Sequence, residues 1–189
     1  MALRAALSAK RKIIVYIATS ADGFIARRDG SVEWLDRPRP KSNYGIGTFF
    51  RSIDTILWGR KTYEFALKHG GSRTGPRIKN YVFSRRRLPP KPGWIYVKEP
   101  IGPFAEHLRS TAGKDIWIMG GAGLIGSFLD AGQIDEFIIN VIPIFIGEGI
   151  PLIQPRRRHV TLELKSSRRF SDGLVQLWYA VNPKSRSLR

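Results

Sequence analysis

The chain alternates short apolar runs with segments that are compatible with helices. The apolar runs are rich in β-branched and aromatic residues, and most of them stop at glycine or serine, which is typical of β-strands. We predict strands at 12–20, 54–58, 79–83, 94–97, 116–119, 136–147, 160–170 and 174–181, and helices at 44–52, 61–68, 104–111 and 124–131.

The order of these elements predicts a mixed α/β sheet. Residues 12–20 (KIIVYIATS) are apolar on both faces, which places this strand near the centre of the sheet. The last two strands flank Ser-Asp-Gly at 171–173, a turn signal that predicts an antiparallel hairpin. With 189 residues, no internal repeat and no linker, the chain fits one domain. We assign this domain to residues 12–182, between basic tails at 1–11 and 183–189.

One stretch, 115–126 (DIWIMGGAGLIG), combines a predicted strand, a glycine turn and the start of a helix. Glycine lets the backbone approach a ligand closely, and the first turn of a helix offers unpaired N–H groups to an anion. Residues 121–126 also match the dinucleotide-binding pattern G-x-G-x-x-G, with Glu148 near the position of a ribose-binding acid. That motif normally opens a doubly wound sheet, whereas most of this chain precedes it. Two interpretations stay open: a phosphate-binding turn, and a turn that only packs a strand against a helix.

Two further strand ends carry groups suited to phosphate. Residues 59–62 (GRKT) provide a glycine, two cations and a hydroxyl at a helix start. Ser84 and Arg85 close another strand, and arginine is the usual partner of a ribose 2′-phosphate because its planar fork gives two contacts. Ligands of open α/β sheets bind outside the carboxyl ends of strands, so we expect Gly59, Ser84 and Gly120 to border one cleft that favours NADPH over NADH. Each strand end also has a plainer interpretation, a turn with solvated bases.

The formal net charge of +17, from 32 basic and 15 acidic residues, is unusual. Such a charge attracts nucleic acids or phosphorylated small molecules. No aromatic-studded basic stripe, zinc finger or helix-turn-helix pattern accompanies it, so we expect no nucleic-acid function. Zero cysteines exclude disulfides and thiolate metal sites, and three scattered histidines argue against a zinc centre. We therefore expect no metal. We expect a cytoplasmic protein, because there is no apolar run of membrane-spanning length and no secretory signal.

Five motifs follow one another along residues 12–182: YIATSADGFIA with Trp34 downstream, ILWGRKTYE, YVFSR, IWIMGGAGLIGSFLDAGQIDEFIINVIPIFIGEG and LVQLWY. Together they resemble the dihydrofolate-reductase-like superfamily, in particular the branch with the reductase domain of bacterial riboflavin biosynthesis. The resemblance implies three layers, with a central, mostly parallel sheet of eight or nine strands flanked by helices and ending in an antiparallel hairpin. It also implies a homodimer, and a cis peptide bond between Gly120 and Gly121.

The resemblance further implies NADPH as the cofactor and assigns its contacts residue by residue. It places the Ala18 backbone and Ile25 at the nicotinamide, and Ser84 and Arg85 near the adenosine 2′-phosphate. The phosphate and pyrophosphate contacts fall to two turns, formed by Gly59, Arg60, Lys61 and Thr62, and by Gly120, Gly121, Ala122, Gly123, Leu124 and Ile125.

The resemblance is weakest at the catalytic residue. Dihydrofolate reductases carry one carboxylate at the start of the helix that follows the tryptophan, but here that helix begins near Tyr44 with no acid at the matching place. This puts folate reduction in doubt. Asp36 is the candidate catalytic carboxylate, whereas Asp22 is interpreted as capping its own turn. The candidates for the wall of a heteroaromatic substrate pocket are Trp34, Phe49 and Phe50, with plain core packing as the alternative for the two phenylalanines.

We therefore predict an NADPH-dependent reductase that transfers a hydride to a small heterocycle, such as the aminopyrimidine ribotide of riboflavin synthesis. Lys41, Arg37 or Arg39 would then meet a substrate phosphate. The sequence leaves three alternatives open. They are a dihydrofolate-type or other small-molecule reductase, a non-catalytic NADP-binding protein, favoured by the missing carboxylate, and a polyanion-binding module, favoured by the charge.

Overall fold

A computed structural model describes residues 10–38, 40–70, 74–75 and 77–182. Strands and helices alternate along most of this part of the chain, and two short 3₁₀ turns, Glu33–Leu35 and Asn43–Gly45, precede the first α-helix. The strands are β1 Ile13–Ser20, β2 Phe24–Ala26, β3 Ile53–Gly59, β4 Lys79–Phe83, β5 Trp94–Val97, β6 Asp115–Gly120, β7 Glu136–Ile142, β8 Ile150–Pro151, β9 Leu162–Arg169 and β10 Val175–Val181. The helices are α1 Ile46–Ser52, α2 Arg60–Lys68, α3 Ile101–Ser110 and α4 Ala122–Asp130.

Eight of these strands form one mixed sheet in the order β5-β4-β3-β6-β1-β7-β10-β9. The six strands from β5 to β7 are parallel, while β10 runs antiparallel to both β7 and β9. The short strands β2 and β8 pair separately. The predicted sheet of eight or nine strands, the central position of β1 and the C-terminal hairpin are confirmed.

The sheet is packed with apolar side chains on both faces, which gives three layers. On one face, Val15 of β1 packs with Phe104 of α3 and Phe128 of α4. On the other face, Ile14 of β1 packs with Tyr63 of α2 and with α1. Successive residues of a strand point to opposite faces, so a central strand buried on both sides is apolar on both, as β1 is at Ile13, Ile14 and Val15.

Two buried arginines tie together the amino-terminal ends of the strands. Arg11 is only 6% exposed and donates to the carbonyls of Lys114 at 2.5 Å and Leu108 at 3.1 Å, in addition to its ion pair with Asp54. Arg109 in turn donates to the Arg11 carbonyl at 2.8 Å. The sequence placed Arg11 in a tail, which is wrong because backbone carbonyls and a carboxylate satisfy its guanidinium. Residues 1–9 and 183–189 lie outside the described residues.

The strand predicted at 136–147 ends at Ile142, which corrects the sequence analysis. Pro143 has no N–H to donate to a ladder, and the N–H groups of Ile146 and Gly147 donate to the Asp22 carboxylate instead. The helix predicted at 44–52 begins at Ile46, because the residues before it have left-handed backbone angles. In the described part of the chain, no helix is long and apolar enough to cross a membrane.

The contacts of Arg11 predict a measurable loss of stability. We expect Arg11→Ala to lower the free energy of unfolding by about 3 kcal/mol, because it strands the partly buried Asp54 carboxylate and two backbone carbonyls. Urea unfolding should show a lower midpoint at an unchanged slope. Arg157→Ala, on an exposed loop, is the control and should change stability by less than about 0.5 kcal/mol. Equal stability of the two variants would contradict the role given to Arg11.

Candidate functional site

The three strand ends that the sequence suggested for phosphate binding, at Gly59, Ser84 and Gly120, lie side by side at the carboxyl edge of the sheet. In the parallel ladder, Gly59 at the end of β3 pairs with Phe83 at the end of β4, so Ser84 is the next residue at this edge. On the other side of β3, Trp58 pairs with Gly120 of β6. The structure thus brings these three strand ends, called the strand tips below, into one row in the order β4, β3 and β6.

The tips of β3 and β6 touch through glycine backbone. A Cβ atom on Gly59 would lie 3.1 Å from the nitrogen of Gly121 and 3.2 Å from the oxygen of Gly120, so a side chain there would require the neighbouring turn to shift. The Gly120–Gly121 peptide bond is cis, as the resemblance implied. A Cβ atom on Gly121 would lie 3.2 Å from the Thr62 hydroxyl oxygen, which places that hydroxyl beside the turn.

Helix α4 begins at this turn and uses part of it internally. The Gly121 carbonyl accepts the N–H groups of Leu124 at 2.9 Å and Ile125 at 3.1 Å, and both side chains are buried in the core. Leu124 and Ile125 therefore have no N–H left for the phosphate contact that the sequence predicted for them. Within the described residues, the N–H groups of Ala122 and Gly123 have no protein acceptor, and they are the donors that the helix start can offer an anion.

The remaining features of the G-x-G-x-x-G match have other uses. Gly123 faces Gln154, and Gly126 lets the guanidinium of Arg158 come within 3.4 Å of the position of a Cβ atom. Glu148 forms an exposed ion pair with Arg28 at 2.8 Å, on the surface. The interpretation of Glu148 as a ribose-binding acid is thus not supported, and the third glycine serves packing rather than a ligand.

The three cations at these strand ends differ in how far they are engaged. Arg60 is paired with Glu64 one helical turn later, at 2.7 Å. Lys61 and Arg85 are exposed and have no ion pair in the described part of the chain. The Ser84 hydroxyl accepts the N–H of Arg86 at 3.1 Å and donates to the carbonyl of the same residue, which closes the turn that carries Arg85. Lys61 and Arg85 are therefore the cations available to a phosphate.

Ala18 lies next to the glycine turn, because β1 and β6 are neighbours in the sheet. Ile17, the preceding residue, reaches within 3.8 Å of a Cβ position on Gly120. Ala18 itself packs against a cluster that includes Trp34 and Phe170. Ile25 is half-buried in β2, in the two-stranded ribbon with β8. The structure thus places Ala18 beside the row of tips, while the nicotinamide contacts of Ala18 and Ile25 stay predictions.

The three aromatic pocket candidates occupy different environments. Phe49 is buried and stacks on Tyr16, with ring centroids 4.7 Å apart, which agrees with the core-packing alternative. Phe50 is 36% exposed and meets Trp117 edge to face. Trp34 is only 8% exposed, and its indole Nε1 is buried without a hydrogen-bond partner in the described chain. Trp34 is the candidate that lies with Ala18, and it retains an unused donor.

Neither candidate carboxylate of the sequence is placed as a proton donor. Asp36 is exposed, and its carboxylate has no partner among the described residues. Asp22 accepts hydrogen bonds from the Ser20 hydroxyl at 2.5 Å and from the N–H of Gly147 at 2.7 Å. These bonds, that of Ser20 first, lower the pKa of Asp22. Asp22 therefore fastens its own turn to the loop after β7, as interpreted from the sequence, and the catalytic role of Asp36 gains no support.

A polar network in the sheet was missed by the sequence analysis. The Gln176 amide nitrogen donates to the Asn140 side-chain oxygen at 2.8 Å and to the Tyr44 carbonyl at 3.0 Å, and the Tyr16 hydroxyl donates to the same carbonyl at 3.0 Å. Burial raises the pKa of Tyr16. The signal was present in the sequence, because Asn140 and Gln176 interrupt otherwise apolar strands and a buried polar side chain needs partners.

The segment before α1 has an uncommon backbone. Asn43 and Tyr44 have φ angles of 41° and 56°, in the left-handed region that costs a non-glycine residue about 1–2 kcal/mol. The Tyr44 hydroxyl donates to the Asp172 carboxylate at 2.6 Å, and this bond is the main cause that lowers the pKa of Asp172. Arg37 lies 3.5 Å from the same carboxylate, so this cation is already engaged. Arg39, the neighbouring phosphate candidate, lies outside the described residues.

Comparisons with known proteins fit this arrangement. The sequence profile of the RibD C-terminal domain family matches residues 103–176. The uncharacterized protein YwjB of Bacillus subtilis (strain 168) is 36% identical over 171 residues, which cover 90% of this chain and 98% of YwjB. A candidate riboflavin biosynthesis protein from Shewanella sp. PV-4 has a structure that matches with a TM-score of 0.81 at 26% identity, covering 90% of this chain and 99% of that one.

The fold is that of dihydrofolate reductases. The dihydrofolate reductase of Enterococcus faecalis, solved with NADP(H) and the ligand RAB-propyl, matches with a TM-score of 0.64 at 15% identity, covering 90% of this chain and 96% of that one. The chain belongs to the same family as YwjB, and its residues 103–176 match the RibD C-terminal domain, which places it close to the RibD branch of this fold. The resemblance stated from the motifs is confirmed.

The contact between the two glycine turns predicts a steric effect. We expect Gly59→Ala to lower the free energy of unfolding by about 1–3 kcal/mol, because the added methyl group meets backbone atoms of the neighbouring turn. Gly123→Ala is the matched control, since its Cβ would lie 3.7 Å from a flexible Gln154 oxygen and alanine is favoured in helices. Thermal unfolding of both variants would measure the difference. A control that loses as much stability as Gly59→Ala would refute the contact.

Proposed function

We propose that the protein is an NADPH-dependent reductase of a small heterocyclic substrate. The observation that carries this proposal is the row of adjacent strand tips, which offers unpaired N–H groups at the start of α4, the Thr62 hydroxyl and two unpaired cations at one edge of the sheet. The fold relatives support it, since one of them is a dihydrofolate reductase solved with NADP(H). Ligands of open α/β sheets bind at this edge.

The residues at the edge fit a phosphorylated dinucleotide. The N–H groups of Ala122 and Gly123, with the Thr62 hydroxyl beside them, would hold the pyrophosphate, because a helix start attracts anions. Lys61 would add a charge there. Arg85, on the turn after β4, would bind the 2′-phosphate, which NADH lacks. This spread of contacts along three tips suits an extended ligand better than a single small anion.

The substrate would lie on the side of Ala18. NADPH, when bound, supplies the hydride, and the protein must hold its nicotinamide against the substrate and exclude water. Trp34 and Phe170, packed together beside Ala18, provide an apolar wall. The unused indole N–H of Trp34 would orient a substrate carbonyl or ring nitrogen. Lys41, which is exposed, is the described cation that would meet a substrate phosphate.

We propose a substrate of the riboflavin-biosynthesis type, 5-amino-6-(5-phosphoribosylamino)uracil, because the chain lies close to the RibD branch. Dihydrofolate is the second candidate, favoured by the shared fold and disfavoured by the absence of an acid near the start of α1.

Screening NADPH oxidation with this aminopyrimidine ribotide, with dihydrofolate and with quinones tests the choice. We expect turnover with the ribotide. Tight NADPH binding with no turnover of any of them would instead identify a non-catalytic NADP-binding protein. The homodimer stays a prediction.

Arg85 should determine the preference for NADPH. We expect NADPH to bind at least tenfold more tightly than NADH, and Arg85→Ala to weaken NADPH binding by roughly tenfold or more while NADH binding is unchanged, since hydrogen bonds to a charged group contribute about 1.5–3 kcal/mol. Titration by tryptophan fluorescence measures both affinities. Arg87→Ala, in the same exposed run, is the control and should leave the ratio intact. An unchanged ratio in Arg85→Ala would show that the 2′-phosphate lies elsewhere.

Because the net charge is high, the binding of polyanions has to be compared with the binding of NADPH. If the exposed basic residues served a nucleic acid, its binding would fall steeply with salt and would be indifferent to added NADPH. We expect only weak binding of duplex DNA or RNA, and NADPH binding that persists at physiological salt. Parallel titrations of NADPH and of an oligonucleotide at two salt concentrations decide between them.

A further inference from the structure

We propose that Asp172 is a positioning residue for the substrate side of the site: from the turn of the C-terminal hairpin, it holds Tyr44 and Arg37 in place. Asp172 and Tyr44 are 128 residues apart in the sequence. The effect on substrate rests on the reductase function proposed above, whereas the effect on the conformation of this segment does not.

Tyr44 is held at both ends. Its hydroxyl donates to Oδ2 of Asp172 at 2.6 Å, and its carbonyl accepts from the Tyr16 hydroxyl and the Gln176 amide, each at 3.0 Å. Its ring meets Phe170 edge to face, with centroids 5.1 Å apart. A non-glycine residue keeps a left-handed backbone only where its surroundings fix it. The sheet fixes the carbonyl of Tyr44, and the hairpin turn, through Asp172, fixes its side chain.

Asp172 also contacts the same segment through Arg37. Its guanidinium donates to the Asp172 carbonyl at 2.5 Å and lies 3.5 Å from the carboxylate. Both side chains are less than a quarter exposed, at 24% and 16%, so water screens this pair only in part. One residue of the hairpin thus contacts two points of residues 37–44. Trp34, just before this stretch, is buried against Phe170.

The same contacts reach the strand that carries Ala18. Gln176, which binds the Tyr44 carbonyl, also binds Asn140, and the Asn140 amide nitrogen donates to the Ile17 carbonyl at 3.4 Å. Asn140 is the ladder partner of Ala18 itself. Hydrogen bonds therefore connect the hairpin turn, the left-handed segment and β1. A change at Asp172 is transmitted to the wall that faces the substrate, while the three strand tips that face the phosphates are not part of this network.

A purely local role in the turn does not account for these contacts. Within its own turn, the Asp172 carboxylate accepts the N–H of Leu174 at a long 3.4 Å and interacts with its own backbone N–H. Its short contact, at 2.6 Å, and its ion pair both reach across to the segment before α1. Charge-assisted bonds of this kind are the stronger ones, so the carboxylate contributes more to that segment than to the turn.

Limited proteolysis with trypsin tests the conformational effect. In residues 37–44 the enzyme has one good site, after Lys41, because Arg37 and Arg39 are each followed by proline. We expect Asp172→Asn to speed cleavage after Lys41 by about tenfold, the factor that corresponds to about 1.4 kcal/mol. Asp36→Asn is the matched control, since it removes the same charge from an exposed carboxylate in the same segment. Equal cleavage rates in the two variants and the wild type would overturn the proposal.

A double-variant cycle separates this link from general loss of stability. Tyr44→Phe removes only the hydroxyl and keeps the ring on Phe170, so it should also speed cleavage. If the two residues act through their shared bond, Asp172→Asn combined with Tyr44→Phe should be cleaved little faster than the faster single variant. Fold-changes that multiply would show that the residues act independently, which refutes the link.

The effect on substrate is a separate measurement. With 5-amino-6-(5-phosphoribosylamino)uracil as the probe, Asp172→Asn should raise the KM by about tenfold, while the Kd for NADPH and the melting temperature stay close to those of the wild type. An NADPH Kd that rises as much as the KM would contradict a role confined to the substrate side. If the wild type does not turn over this compound, the proposed function fails, and the proteolysis result still decides whether Asp172 positions the segment.

Discussion

The close approach of two glycine turns determines the geometry of the site. Gly59 at the end of β3 lies against the Gly120–Gly121 peptide at the end of β6, at a distance that a single methyl group would disturb. Because these turns touch, the starts of α2 and α4 meet at one edge of the sheet, with the Thr62 hydroxyl beside Gly121. Neither helix start alone would reach along an extended ligand. Because the starts of α2 and α4 are adjacent, this edge carries a continuous row of hydrogen-bond donors and cations.

The sequence predicted the elements around this contact well, because each has a local signal. Apolar runs that end in glycine marked β3 and β6, and the Ser-Asp-Gly turn marked the final hairpin. The assignments at Leu124 and Ile125 were less informative, because a motif match does not show which N–H groups a helix uses for itself. Arg11 was taken for part of a tail, since its partners, Asp54 and the Lys114 carbonyl, are remote in the sequence. Contacts of this kind have no local pattern that could reveal them.

The high positive charge has several uses, and the fold separates them. Arg11 and Arg109 are buried and bind backbone carbonyls at the amino-terminal edge of the sheet, opposite the site. Arg156 and Arg158 both pair with Asp130 at the end of α4. These arginines are engaged by backbone carbonyls or by a carboxylate. Lys61 and Arg85, exposed at the carboxyl edge, have no ion pair in the described part of the chain, so their charge is available to a ligand there.

The region before α1 receives a carboxylate from the hairpin turn and not from the helix itself. The chain has no carboxylate near the start of α1, and that place is occupied by Tyr44 in a left-handed conformation. A carboxylate still reaches this region from the hairpin turn, because Asp172 binds the Tyr44 hydroxyl. Because its pKa is lowered, Asp172 acts as a hydrogen-bond acceptor and not as a proton donor. In the proposed reduction, Asp172 would therefore not supply the proton. In that proposed reaction, the polar groups near Ala18 would orient the reactants, which is what hydride transfer requires most.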